Sequence, residues 1–116
     1  MKSNTINNAL RWLARRVPDY ASRTNKDFRT TLSTSKTTVL SNASKSGILY
    51  INFNRGNEAG YTVSVAIDGN VAWHYPAYQV ADAVTVNFQI EKGQTVTAYS
   101  DGGSWTLVNT SWVPFK

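Results

Sequence analysis

The chain predicts a mainly β fold: an antiparallel β-sandwich of the jelly-roll kind, preceded by a short N-terminal amphipathic helix and an extended arm. Three observations carry this. Residues 1–36 hold eight Lys and Arg against two Asp, a net of +6, whereas residues 37–116 hold four against five, a net of −1. From Thr37 onward, short runs of alternating apolar residues are separated by turn residues roughly every 8–12 positions, the rhythm of a sandwich. Cys is absent from all 116 residues, which excludes a disulfide framework and any Cys-based zinc site. The expected organisation is a basic docking arm over 1–36 and a β body over 37–116.

Within the arm, Ile6, Leu10, Leu13 and Val17 follow 4-3-4 spacing and form one helical stripe, with Ala9 beside them. Ser3, Asn4 or Thr5 can cap its start, and Pro18 stops it, so the helix is expected over about residues 5–17. A helix of roughly twelve residues is marginal alone and needs a surface to pack on, either the body, a partner or a bundle of copies. Arg11 and Arg15 lie opposite the stripe, with Trp12 and Arg16 on its flank. Trp among arginines suits a membrane surface, a nucleic acid or an acidic protein groove. The apolar face is short for a membrane anchor, and the arginines carry no nucleic-acid recognition motif. Protein docking is preferred, against a solvated basic face as the plainer alternative. Residues 19–36 show no clean period and read as a linker or strap, with Tyr20, Phe28 and Leu32 as pegs.

The body opens with strands at Thr37–Leu40 and Gly47–Asn54, where Leu49, Ile51 and Phe53 share one face. A strand over Tyr61–Ile67 points Tyr61, Val63, Val65 and Ile67 inward. Asp68-Gly69-Asn70 then marks a tight hairpin, because Gly accepts the positive φ such turns require. Val71–Tyr75 returns. Ala83–Ile90 alternates most cleanly, with Val84, Val86, Phe88 and Ile90 inward and Thr85, Asn87 and Gln89 outward. A turn at Glu91-Lys92-Gly93 leads to Gln94–Ser100, and Ser104–Val108 and Ser111–Phe115 finish the sheet as two strands. Only nine charged side chains fall in 37–116, a surface suited to contact with copies of itself.

Catalytic chemistry is not signalled. His74 is the one His and has neither a nucleophile nor a carboxylate in a local motif, so it reads as a loop or interface residue. Asp68, Asp82, Glu91 and Asp101 fall at turns, where Asp and Glu accept backbone N–H groups; no metal-binding or phosphate-binding pattern appears, and no cofactor is expected. The aromatics Trp73, Tyr75, Tyr78 and Trp105, with His74, admit two roles. Flat rings beside polar side chains suit a glycan or receptor contact, whereas the plainer alternative is that they fill the core and the subunit seam, as large rings usually do.

The order GILYINFN, YTVSVAIDGN, AVTVNFQIEKGQTVTAYS and a terminal WVPFK resembles the C-terminal jelly-roll modules of bacteriophage fibre, tail-needle and head-decoration proteins. Those modules share the shape of trimeric C1q/TNF-like domains. Ile90, Lys92, Gly93, Val96 and Thr97 carry the most specific part of the likeness, which covers roughly residues 46–116. The resemblance implies a non-enzymatic virion protein assembled in the host cytoplasm. It would be a homotrimer docked on a capsid or tail protein through residues 1–36. A small carbohydrate- or receptor-binding module is the alternative. No apolar run approaches the roughly 18 residues of a membrane span, and no secretory signal is apparent.

Overall fold

A computed structural model describes residues 16–55, 61–75, 83–102 and 105–116. Among them run β1 (Thr24–Thr31), β2 (Thr37–Leu40), β3 (Gly47–Arg55), β4 (Val63–Ile67), β5 (Asn70–Tyr75), β6 (Ala83–Ile90), β7 (Val96–Ser100) and β8 (Trp105–Pro114). They form two four-stranded antiparallel sheets in the orders β1-β8-β3-β6 and β2-β7-β4-β5. Every connection crosses from one sheet to the other except β4–β5, and this double Greek key is the jelly-roll order. The expected sandwich is therefore present, read from the chain's own topology.

The core lies between the sheets because alternation turns one face of each strand inward. Leu49, Ile51 and Phe53 of β3, Leu107 of β8 and Ile90 of β6 meet Val39, Val63, Val65, Val96 and Ala98 of the second sheet. Burying each larger side chain contributes about 1.5–3 kcal/mol, which offsets the entropy of ordering its strand. β4 lies between β7 and β5, so Ser64 and Ala66 on its outer side are buried as well. The hairpin at Asp68-Gly69 forms as expected: φ is +50° and +83° at the two positions, and Ile67 pairs with Asn70.

Two expectations are corrected, and a third falls mainly outside the described residues. Residues 24–31 are not a linker but β1, laddered to β8, so the body begins well before Thr37. Their alternation is broken by a bulge between Asp27 and Thr30, where Arg29 has φ +49°. Among the pegs, Leu32 is wholly buried, Phe28 packs on the core, and Tyr20 is exposed within a 3₁₀ turn over Tyr20–Ser22.

The helix expected over about 5–17 falls mainly on residues 1–15, outside the described residues. Its last two, Arg16 and Val17, form a turn and a bend, and Pro18 makes a β-bridge to Phe115. Finally, the two terminal strands are one. Val108 bulges, Leu107 and Asn109 stay in register with β3, and Thr110 is buried mid-strand. The polar Asn109-Thr110 pair, left between the two expected strands, belongs to the ladder.

Candidate functional site

The outer face of the first sheet carries the most organised polar surface among the described residues. Register places Asp27, Asn109, Asn52 and Thr85 side by side across β1, β8, β3 and β6. The Asn52 Nδ2 donates to Asn109 Oδ1 at 2.5 Å, and the Thr85 hydroxyl donates to Asn52 Oδ1 at 2.6 Å. At the β1 end the Arg29 Nε donates to Asp27 Oδ2 at 3.0 Å. The next row sets Asn25, Ser111, Tyr50 and Asn87 abreast.

Two adjoining clefts lie along these rows. One of about 610 Å³ is lined by Arg23, Lys26, Asp27, Arg29, Asn52 and Asn109, among others. The other, of about 400 Å³, is lined by Tyr20, Arg23, Tyr50, Thr85, Ser111 and Val113, with Asn52 shared. An Asn amide has two N–H donors and two acceptor lone pairs, so each retains capacity beyond these bonds. Three cations stand against the single carboxylate of Asp27 in the larger cleft, giving it a positive field. The Arg29–Asp27 pair itself is solvent-exposed and contributes little to stability.

A second groove of about 350 Å³ opens on the outer face of the other sheet, where Ser64 Oγ lies 2.8 Å from His74 Nδ1. A Ser–His pair invites comparison with a nucleophile and its base. Here the carboxylate lining the groove, Asp101, accepts the Thr62 N–H at 2.7 Å, and Ser64 is only 4% exposed. The Ser64 hydroxyl thus bonds the His74 ring from a mostly buried position mid-strand. No three His, Cys, Asp or Glu of the described residues cluster to hold a metal ion, and no described helix is long and apolar enough to cross a membrane.

The residues singled out in the sequence are scattered. Ile6, Leu10, Arg11, Trp12, Leu13, Arg15 and Tyr78 lie outside the described residues. Arg16 is fastened to the body: its guanidinium meets Glu91 at 2.6 Å and lies over the Phe115 ring. The hydrogen bond from Arg16, followed by those from Ser46 and Gln89, holds the Glu91 carboxyl below its ordinary value of 4.5. Val17 is 42% exposed, while its carbonyl accepts the Lys116 N–H at 2.8 Å.

Trp73, Tyr75 and Trp105 do not form a surface platform. Phe53 stacks on Trp73 at 5.8 Å, Trp73 leans on Tyr75, and Tyr75 meets the edge of Trp105. Trp105 is 1% exposed and its indole N–H donates to the Tyr61 carbonyl at 2.9 Å, so it is a core residue. The amide row was missed because its members sit on four strands far apart in sequence. Thr85 stood among the outward positions, yet only the register between strands brings it and Asn52 to Asn109.

No family model matches the chain, and no curated protein matches it. Solved structures of similar fold include pika GITRL, at 10% identity over 70% of this chain and 72% of that one, TM-score 0.47. A second is the C-terminal CBM6 of the marine laminarinase LamC from Zobellia galactanivorans, at 15% identity over 82% and 93%, TM-score 0.48. A third is the GH26-CBM35 β-(1,4)-mannanase of Podospora anserina, at 12% identity and TM-score 0.46. There the match takes in 79% of this chain but only 27% of the mannanase. With TM-scores of 0.46 to 0.48 these likenesses carry no argument, and the jelly-roll assignment rests on this chain's own strand order.

Proposed function

We propose that the chain is a non-enzymatic binding module whose first sheet takes a polyhydroxylated ligand, a surface glycan bearing an acidic group. The row Asn109–Asn52–Thr85 carries this reading: linked amides and a hydroxyl present donors and acceptors side by side along one row, a pattern that suits neighbouring sugar hydroxyls. Tyr50 and the 61%-exposed Tyr20 supply flat rings beside it, and Arg23, Lys26 and Arg29 favour an anionic substituent. The site thus lies on a different face from the Trp73 cluster.

A glycan array probed with the full chain tests this. Saturable binding to acidic glycans is expected, weakened about tenfold or more in Asn52→Ala, the equivalent of about 1.4 kcal/mol, with the melting curve retained. An array on which the wild-type chain binds no sugar saturably would sink the proposal.

Display on a virion is the second reading. It draws support from the clamp of Arg16 and Val17 against Glu91 and the C-terminal strand end, which joins the basic stretch ahead of them to the body at a fixed point. Deleting residues 1–15 should then abolish incorporation into the particle and leave glycan binding intact. Retained incorporation would refute that role.

A further inference from the structure

The four edge strands are not alike. β1 carries Lys26, Asp27 and Arg29 and a register shift between Asp27 and Thr30. β2 is four residues long with a shift between Thr38 and Leu40, and the β4–β5 ladder is offset between Val65 and Ala66. Charges, bulges and shortness are the devices by which edges avoid pairing with other chains. β6 has none of them. Its eight residues, AVTVNFQI, include no charge and no Pro, and they pair with β3 in unbroken register from Ala83 to Ile90.

The inward row of β6 is also incompletely covered. Val84, Val86 and Phe88 pack on the core yet remain half-buried, whereas Leu49, Ile51 and Phe53 on neighbouring β3 are sealed. Among the described residues β3 is the one ladder partner of β6, so the other row of backbone N–H and C=O groups is turned outward.

We propose that β6 is a self-association edge, pairing antiparallel with β6 of a second copy across a two-fold axis. The strand is its own complement. With the axis at Asn87, Thr85 faces Gln89, Val86 faces Phe88 and Val84 faces Ile90, so polar meets polar and apolar meets apolar. No like charges meet along the paired strands, and the two Glu91 carboxylates fall at opposite ends, each opposite Ala83. The first sheets of two copies become one eight-stranded sheet. This inference is independent of the ligand reading and would stand if no glycan bound.

The test is light scattering after size exclusion on the full chain over a concentration series, with Asn87→Lys and Asn87→Asp. Asn87 is exposed on the outer face, so either substitution leaves the core untouched, and each variant backs up the other should one fail to fold. A wild-type dimer is expected, weakened about fivefold by either variant, since like charges then face each other across the axis. Mixing the two variants should restore the dimer. A wild-type monomer or trimer would overturn the proposal, as would a dimer indifferent to both substitutions.

Discussion

β1 and β6 are the two ends of one sheet, both eight residues long and both antiparallel to a central neighbour, yet they are built to opposite rules. β1 is mostly exposed, charged and bulged, and its side of the sandwich is pinned by Phe28 and by Leu32 just beyond it. β6 is straight, uncharged and backed by a full apolar row. A strand can thus owe its place to one or two deep pegs or to an even spread of shallow ones. The first kind closes a sheet, and the second leaves it extensible.

Truncating a peg on each side sharpens the contrast most. Leu32→Ala should lower the unfolding free energy by about 2–5 kcal/mol, and Val86→Ala by only about 1 kcal/mol, because Val86 already meets solvent. Urea denaturation at low protein concentration measures both; equal losses would show the β6 row to be as deeply covered as the β1 peg. Next in size is Gly47→Ala, at the start of β3 between the two edges. A Cβ there would stand 2.5 Å from the Val113 carbonyl oxygen and 2.8 Å from Pro114 Cα, so a loss of about 1–3 kcal/mol is expected by thermal melting.

Smaller and opposite in sign is Arg29→Gly. Arg29 holds φ +49° in the β1 bulge, so glycine should raise stability by up to about 1 kcal/mol; a lower melting temperature would show that the Arg29 side chain outweighs the strain. The smallest effect concerns Glu91, the first residue after β6. Its folded pKa is depressed, so its contribution is present above 4.5, the ordinary value, and is lost as pH falls through the folded value. Glu91→Gln should therefore cost under about 1 kcal/mol at neutral pH, discounted for a half-exposed pair, and should flatten the acid limb of a stability–pH curve. An unchanged acid limb would remove Arg16 as a clamp.

The same contrast explains what could be read in advance. β6 was legible because its inward and outward residues alternate without interruption, and β2, β3 and the Asp68-Gly69 hairpin were legible for similarly local reasons. β1 was not, since a bulge shifts its phase and charge covers its exposed side, leaving Phe28 and Leu32 as isolated apolar points. β8 was split at the polar Asn109-Thr110 pair, which strands on both sides satisfy. The candidate site was the least legible part. Amides at positions 52 and 109 become neighbours through non-local pairing, while conspicuous rings such as Trp105 were drawn into the core. Composition marks an aromatic; only topology decides which side of a sheet it faces.

The position of β8 has a consequence for how the chain is made. It lies between β1 and β3, so the first sheet has no centre until residue 114 has been synthesised. A ribosome would expose β1 and β3 well before the strand that joins them exists. Local pairing can begin only at the β4–β5 hairpin, and almost every other ladder must wait for distant partners, a topology that folds in milliseconds to seconds rather than microseconds. During that interval AVTVNFQI can already pair with β3, which precedes it, but its other edge stays open, so the nascent chain presents an unguarded strand edge on a sheet that is not yet closed.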